Sequence, residues 1–156
     1  MKKAVNIREA EARDHEFIFA LSPYLAEVAE LKWHSAETVQ QMQDNYIRDM
    51  LAETSTPNIT LIAEVEQIPL GFVHARTHKD GVSDEVCITV PLLAIAPKSQ
   101  GLGLGKLLMV AIEDWAKSLD CRLIHLEVFA NNTNARCFYD NLGFQPEMLN
   151  MVKVID

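Results

Sequence analysis

The spacing of apolar residues in the first third of the chain predicts one short strand followed by two helices. Residues 3–8 alternate enough for a strand. Apolar positions then recur at helical spacing over Arg13–Trp33, and Pro23 is expected to kink or divide that helix. Ser35 is a good N-cap for a second helix that runs to Leu51.

Beyond Pro57 the pattern changes to strands separated by turns. Asn58–Glu66 and Gly71–His78 are predicted strands, and Asp80-Gly81 marks the turn into a third. The remaining predicted elements are a strand over Glu85–Ile95, a helix over Gly103–Leu119, a strand over Arg122–Phe129, a helix over Thr133–Leu142 and a final strand over Met148–Ile155. This order predicts one α/β (α+β) domain over residues 1–156, built around a mixed sheet.

Charge and cysteine content narrow the class of protein. The net charge of −8 argues against nucleic acid as a partner, because there is no basic surplus to neutralise phosphates. The acidic surplus would attract a cationic acceptor, although a charge kept for solubility explains it equally well. Three unpaired cysteines, no leader pattern and no apolar run of about 18 residues predict a cytoplasmic protein without a membrane partner.

A glycine-rich turn follows the predicted strand that ends at Ile95. The Gly-rich turn, Gln100–Lys106, places glycine at every second position and opens the long amphipathic helix. Alternate glycines let the backbone wrap tightly with its amides facing inward, and the start of a helix adds partial positive charge. This combination predicts an anion site that suits a diphosphate.

Two better-known phosphate motifs do not fit this turn. A Walker P-loop would require glycine in place of Gln100 and a hydroxyl residue in place of Leu107. A dinucleotide G-x-G-x-x-G motif would require glycine in place of Lys106 or Leu108. The turn therefore belongs to neither class.

The charges around the turn also favour an anion. Residues 86–112 contain no Asp or Glu, although about four of the chain's 22 acids would fall there by chance. The same stretch contains Lys98 and Lys106, and a lysine in a first helical turn opposes the helix dipole unless an anion lies nearby. A buried strand and helix that exclude acids for packing reasons would produce the same depletion.

A second motif lies downstream and completes a family pattern. Gln100-x-x-Gly103-x-Gly105 is followed by Leu126-Glu127-Val128 and by Asn132-x-x-Ala135-x-x-x-Tyr139-x-x-x-Gly143-Phe144. Together the two segments resemble the GNAT N-acetyltransferase superfamily, and the order of elements agrees over essentially the whole chain. The resemblance implies a mixed, mostly antiparallel sheet of six to seven strands flanked by about four helices and splayed at the cofactor site.

The resemblance also implies where the cofactor would lie. Pantetheine would enter between the strand that ends near Ile95 and the strand around Leu126–Phe129, and the Gly-rich turn would hold the diphosphate. The positions that this assigns to acetyl-CoA are Leu93, Ala94, Ile95, Gln100, Gly101, Leu102, Gly103, Leu104, Gly105, Lys106, Asn132 and Tyr139. No metal is expected.

The resemblance gives Tyr139 the role of general acid toward the leaving thiolate. Tyr139 is also at helical spacing with Ala135 and Leu142, so simple packing is the other explanation. Many members of the superfamily carry a glutamate on the strand before the turn, where it acts as general base, but Ile88–Leu92 has no carboxylate here. Pro91 predicts a bulge or an edge in this strand. The candidates for the base are Glu85, His74, His78, His34, Glu127 and water.

These observations lead to an acyl-CoA-dependent N-acyltransferase that transfers acetyl to a primary amine by direct attack. The expected acceptor is a small-molecule or peptide amine. The exposed strand edge could pair two subunits, so a homodimer is one of the alternatives. Residues that could line the acceptor site are His34, Trp33, Tyr24, Glu27 and Glu30. The missing carboxylate supports an alternative, a non-catalytic acyl-CoA-binding regulatory module, and a purely structural interaction module would bind no cofactor.

Overall fold

The fold is described from a computed structural model that covers residues 3–156, so residues 1 and 2 of the predicted domain lie outside the described part. The strands are β1 (Val5–Glu9), β2 (Asn58–Val65), β3 (Ile68–Lys79), β4 (Val86–Ile95) and β5 (Ile124–Leu126). The helices are α1 (His15–Ala20), α2 (Ser22–Glu27), α3 (Ala36–Ala52), α4 (Leu104–Ser118) and α5 (Thr133–Asn141). Short 3₁₀ turns occupy Ala12–Asp14 and Pro97–Ser99.

One mixed sheet forms the centre of the molecule, and its strands follow the order β1-β2-β3-β4-β5. All neighbouring strands are antiparallel except β4 and β5, which are parallel. The expectation of six to seven strands was wrong, since residues 3–156 contain five. The predicted strand over Met148–Ile155 is absent because that stretch has no neighbouring strand to pair with, and backbone pairing is what makes an extended chain a strand.

Proline sets the break in the first helical stretch. Pro23 lies in the first turn of α2, where its missing N–H is tolerated, but it cannot continue a helix from α1. The two helices are therefore separated only by Leu21, and counting them as one broken helix gives the four that were expected. The long helix α3 begins as predicted, because the Ser35 hydroxyl accepts a hydrogen bond from the Thr38 amide at 3.1 Å.

Each face of the sheet carries its own apolar core. One core lies between the sheet and α4, and its fully buried members include Val73, Ile88, Leu108 and Ile112. The other lies between the sheet and helices α1 to α3, and includes Ile18, Ile47, Ile62 and Phe72. The sheet is thus covered on both faces, which leaves its ends and edges as the places for a functional site.

A β-bulge in β4 changes which side chains face which core. His74 of β3 pairs with Leu92, but Arg76 pairs with Thr89, so one β3 residue lies opposite two on β4. The bulge falls at Val90 and Pro91, where proline cannot donate a ladder hydrogen bond, as its position predicted. As a result Val90 packs on the α4 side whereas Leu92 packs against α1 to α3.

An almost buried ionic cluster joins the first strand to the turn before α1. Arg8 donates to both carboxylate oxygens of Asp14, at 2.7 and 2.8 Å, and its Nε donates to Glu64 at 2.9 Å. The carboxylate of Asp14 also accepts from the Glu11 amide at 2.7 Å, and its side chain is only 2% exposed. The Arg8 guanidinium holds the pKa of Asp14 below its ordinary value.

Replacing Asp14 with Asn should lower the free energy of unfolding by about 3–5 kcal/mol at pH 7, because Arg8 would lose a buried partner. The pKa of Asp14 is depressed in the folded state, so its contribution is fully present above the unfolded value of about 3.9 and is lost as the pH falls from there through the lower pKa of the folded state. Urea titrations at pH 7 and pH 3 would measure both effects. Asp114→Asn, at an exposed position of α4, is the control and should change little.

Candidate active site where two parallel strands diverge

The sheet opens between its two parallel strands. β4 and β5 share three pairs, Ile88 with Ile124, Thr89 with His125 and Val90 with Leu126. Beyond these pairs β5 ends, while β4 continues to Ile95 with β3 as its only partner among the described strands. The stretch of β4 after the bulge therefore has one open side, with backbone groups available to an extended ligand.

The Gly-rich turn lies directly after this open stretch. Gly101 and Gly103 have φ of +84° and +78°, a region that side chains with a Cβ rarely adopt. Gly103 is the N-cap of α4, and its carbonyl accepts from the Leu107 amide at 3.2 Å. Within residues 3–156, the amides of residues 101–106 donate no hydrogen bond to another protein group.

These free amides fit an anion such as a diphosphate. The first amides of any α-helix lack intrahelical partners, and here the positive φ angles add two more from the turn. The first turn of α4 contains no acidic residue, whereas Lys98 and Lys106 are exposed on either side. Donors, helix dipole and lysines therefore all favour negative charge at this place.

Gly105 has a different role from the other two glycines. A Cβ added there would lie 3.0 Å from the Phe138 ring, so the missing side chain lets α5 approach the first turn of α4. The sequence suggested only a phosphate role for Gly105, because nothing local indicates its contact with a residue 33 positions away. This contact holds α5, which carries Tyr139, beside the Gly-rich turn.

Tyr139 is mostly buried within a small aromatic cluster. Its ring meets Phe138 and Phe144 edge to face, at centroid distances of 5.2 and 5.6 Å. Burial raises the pKa of Tyr139 to about 12, so the phenol is protonated at neutral pH. Within residues 3–156 its hydroxyl makes no hydrogen bond, which leaves the O–H available to a ligand.

Asn132 is partly engaged in the fold. It is the N-cap of α5, and its Oδ1 accepts from the Ala135 amide at 3.2 Å, so its NH₂ group and the second lone pair of Oδ1 remain for a ligand. The preceding Asn131 donates from Nδ2 to the Glu30 carbonyl at 2.7 Å. This bond ties the loop after β5 to the loop after α2, across 101 positions of sequence that no local pattern could connect.

The candidate base Glu85 lies at the wrong end of the sheet. It precedes β4, whereas the Gly-rich turn follows the other end of this ten-residue strand, about 30 Å away. Its carboxylate accepts from Arg122 Nε at 2.9 Å and from Ser83 Oγ at 2.7 Å. The bond from Arg122, and then that from Ser83, holds the pKa of Glu85 below its ordinary value, which suits an ion pair rather than a base.

The four other candidate bases are scattered. His74 is 1% exposed and shares a 2.8 Å hydrogen bond with Thr60, and burial lowers its pKa to about 4. It is therefore neutral at physiological pH and a weak base. His78, His34 and Glu127 are all exposed, His78 near the start of the β3–β4 turn and Glu127 just after β5. Of these three, Glu127 lies nearest to the gap, because it directly follows Leu126, the last β5 residue that pairs with β4.

A groove between α2 and α3 contains three of the residues expected to line the acceptor site. This α2–α3 groove has a volume of about 500 Å³, and its walls include Glu27, Glu30 and His34. Tyr24 and Trp33 are about half exposed but lie outside its walls. Because Asn131 bonds to Glu30, one wall of the groove meets the loop that leaves the diverging strand β5.

One group of possible metal ligands lies elsewhere. Asp80, His125 and Glu147 have ligand atoms within 4.8 Å of one another, with His125 Nε2 3.0 Å from Asp80 Oδ1. Asp80 belongs to the β3–β4 turn, where its other oxygen caps the Val82 and Ser83 amides. The group is therefore at the opposite end of β4 from the Gly-rich turn.

Over residues 3–156, no helix combines the length and the apolar content that crossing a membrane would need.

Comparison of the sequence with known proteins shows a match to one family of acetyltransferases. Residues 23–144 match the Acetyltransferase (GNAT) family. Over 83 residues, 53% of this chain, the sequence is 36% identical to a mycothiol acetyltransferase from Renibacterium salmoninarum. The chain spans 24% of the length of that relative.

Solved structures agree at the level of the fold. A provisionally named acetyl transferase from Pyrococcus furiosus superposes with a TM-score of 0.80 at 22% identity, over 97% of this chain and 100% of the other. The aminoglycoside N-acetyltransferase AAC(6')-Iy in complex with CoA has a TM-score of 0.70 at 17% identity, over 99% and 97% of the two chains.

Gly103→Ala should lower the free energy of unfolding by about 1–2 kcal/mol, because its φ of +78° is strained for any residue with a Cβ. Gly81→Ala is the matched control. A Cβ at either glycine meets no atom within 4 Å, but only Gly103 has a positive φ. Urea unfolding would measure both variants, and equal losses would contradict the backbone conformation described for the turn.

Proposed function

This chain belongs to the Acetyltransferase (GNAT) family, and from that premise we propose that it transfers acetyl from acetyl-CoA to a primary amine. The observation that carries the proposal is the run of unpartnered amides over residues 101–106, directly after the open side of β4. A diphosphate on these amides would leave the pantetheine arm to extend along the gap between β4 and β5. Such an arm would find backbone donors and acceptors there, as a neighbouring strand would.

The open backbone of β4 supports the chemistry as well as the binding. When a neutral amine attacks a thioester, negative charge develops on the carbonyl oxygen. Backbone N–H groups over Leu93–Ile95, on the side without a strand partner, can donate to that oxygen. Because these amides are fixed by the pairing with β3, they need no reorganisation during the reaction.

Tyr139 serves the leaving group as a hydrogen-bond donor. Its pKa of about 12 is well above that of an ordinary thiol, about 8.5, so full proton transfer to the thiolate is unfavourable. Donation of a hydrogen bond has no such limit, and it stabilises the thiolate as negative charge develops on sulfur. We therefore propose hydrogen-bond donation to the thiolate, rather than full proton transfer, as the role of Tyr139.

No side chain is assigned as the base. The place of Glu85 at the far end of β4 and its pairing with Arg122 argue against this role, and burial makes His74 a weak base. We assign deprotonation of the amine to water, which accepts the proton either from the amine before it attacks or from the tetrahedral intermediate after the attack. The rate should therefore rise with pH until the acceptor amine is neutral.

The α2–α3 groove is proposed as the acceptor site. Its walls carry two carboxylates, Glu27 and Glu30, and one lysine, Lys32, and the whole chain has a net charge of −8, so the charges of the groove and of the chain both favour a cationic amine. A volume of about 500 Å³ suits a small molecule or the end of a peptide. An aminoglycoside, the substrate in the name of one structural neighbour, belongs to the same chemical class.

We propose that residues 1–156 form one acetyltransferase domain, which works in the cytoplasm as a homodimer and uses no metal for the transfer. Three free cysteines support a reducing compartment. The unpaired edge of β5 supports pairing of two subunits. Asp80, His125 and Glu147, the possible metal ligands, lie at the far end of β4 from the Gly-rich turn, which supports a transfer without them.

Acetyl-CoA at 100 times its Kd should raise the Tm by about 5–10 °C, since a ligand that binds only the folded state adds about 2.7 kcal/mol. Gly103→Ala should lose most of this shift because its amides are re-aimed, whereas Gly81→Ala should keep it. Each shift is measured against the same variant without ligand, which removes the intrinsic loss of stability. An undiminished shift in Gly103→Ala would place the diphosphate elsewhere.

Tyr139→Phe should lower kcat for thiol release from acetyl-CoA by about 100-fold, with little change in the KM for acetyl-CoA. The assay follows free thiol against a panel of primary amines. Tyr46→Phe, at an exposed position of α3, is the matched control and should keep full activity. Binding of acetyl-CoA without thiol release for any amine would favour the non-catalytic binding module.

A further inference from the structure

Three side chains that are far apart in the sequence meet where the β3–β4 turn lies beside β5. They are Asp80, which follows β3, His125, the middle residue of β5, and Glu147, which follows α5. Their ligand atoms, one imidazole nitrogen and two carboxylate oxygens, all lie within 4.8 Å of one another. Because Zn²⁺ accepts both kinds of ligand in proteins, the group has the chemistry of a cation site.

The contact between His125 and Asp80 does not have the form of a hydrogen bond. His125 Nε2 lies 3.0 Å from Asp80 Oδ1, yet this buried nitrogen makes no hydrogen bond within residues 3–156. A buried polar atom without a partner costs about 1–3 kcal/mol, so it calls for a ligand. Two atoms that bind one Zn²⁺ at about 2.1 Å are about 3.0–3.4 Å apart, in octahedral or tetrahedral geometry. The separation of Nε2 and Oδ1 therefore matches two ligands of one ion.

The β3–β4 turn holds Asp80 in place and leaves Oδ1 free. Oδ2 accepts from the Val82 amide at 3.1 Å, from the Ser83 amide at 2.7 Å and from the Ser83 hydroxyl at 2.9 Å. Oδ1 accepts no hydrogen bond from the described part of the chain, and the Asp80 side chain is only 5% exposed. Outer hydrogen bonds of this kind orient a carboxylate before a metal ion binds to it.

The charges around the group also favour a cation. The Glu147 carboxylate lies within 4.8 Å of the Asp80 carboxylate, and it makes no ion pair with any residue in the range 3–156. The basic side chains next to the group, Lys79 and Arg122, already pair with other carboxylates of the β3–β4 turn. Two carboxylates at this distance repel each other unless a positive charge lies between them.

We propose that Asp80, His125 and Glu147 bind one Zn²⁺ ion, which fastens the segment after α5, residues 145–156, to the body of the domain. Over the described residues, this segment forms no helix or strand, and its backbone makes no hydrogen bond to another backbone group. An ion that links positions 80, 125 and 147 closes two long loops, and such a cross-link restricts the unfolded chain strongly. The ion lies at the far end of β4 from the Gly-rich turn and has no part in the acetyl transfer.

Calorimetric titration of ZnCl₂ into the full chain, first freed of metal with EDTA, tests the site without any other ligand. One equivalent should bind. Glu147→Gln and His125→Gln should each weaken the affinity at least 100-fold, because loss of an outer hydrogen bond alone costs about 10–100-fold. Glu147 is exposed, so Glu147→Gln should fold normally. The matched controls are Glu16→Gln and His78→Gln, which remove an exposed carboxylate and an exposed imidazole and should bind Zn²⁺ like the wild type.

Two further measurements test the ligand set and the fastening of the segment. MgCl₂ should bind at least 100-fold more weakly than ZnCl₂, because an imidazole nitrogen is a poor ligand for a hard cation. Zn²⁺ should slow hydrogen exchange of the amides over residues 145–150 at least 10-fold in the wild type but not in Glu147→Gln.

Four results would overturn the proposal. They are no binding of Zn²⁺, unchanged affinity in both ligand variants, equal affinity for Mg²⁺, and hydrogen exchange in the segment that Zn²⁺ does not alter. Acetyl-CoA is absent from all of these measurements, so each failure leaves the acyl-transfer proposal standing.

Discussion

The constraint on which the site depends is that β4 must remain paired on one side while it is released on the other. The bulge at Val90 and Pro91 satisfies both demands. It keeps β4 on β3 through Ile95, turns Leu92 toward the opposite core, and coincides with the last pair to β5. The gap is therefore produced by pairing within the sheet and needs no ligand to open it.

The Gly-rich turn lies beside that gap and presents the unpaired amides to which we propose that a diphosphate binds. Positive φ at Gly101 and Gly103 brings amides together that cannot pair within the protein, and unpaired amides are tolerated where water or an anion can reach them. Although the chain has a net charge of −8, residues 86–112, which include this turn, contain no Asp or Glu. In the proposed function, backbone amides are the donors to the anion, and the exposed Lys98 and Lys106 add positive charge beside them.

Sequence patterns predicted those features of the fold that depend on residues close together in the chain. The limits of β4, α3 and α4 followed from periodicity, from the Ser35 cap and from the Gly-rich turn, because each depends on residues a few positions apart. Sequence could not reveal the contact of Gly105 with Phe138, which needs the packed helices. The prediction of a final strand over Met148–Ile155 was wrong for a related reason. The apolar pattern is typical of a strand, but it does not show whether the same chain has a neighbouring strand for it to pair with.

The hydrogen bond from Asn131 to the Glu30 carbonyl has a thermodynamic consequence. It makes the wall of the α2–α3 groove and the loop beyond β5 a shared boundary between the sites proposed for the acceptor and for acetyl-CoA. A ligand that displaces this boundary from one side would change the free energy of binding on the other, and such a coupling is equal in both directions. The two proposed sites therefore predict linked affinities for donor and acceptor, each to be measured at a stated concentration of the other.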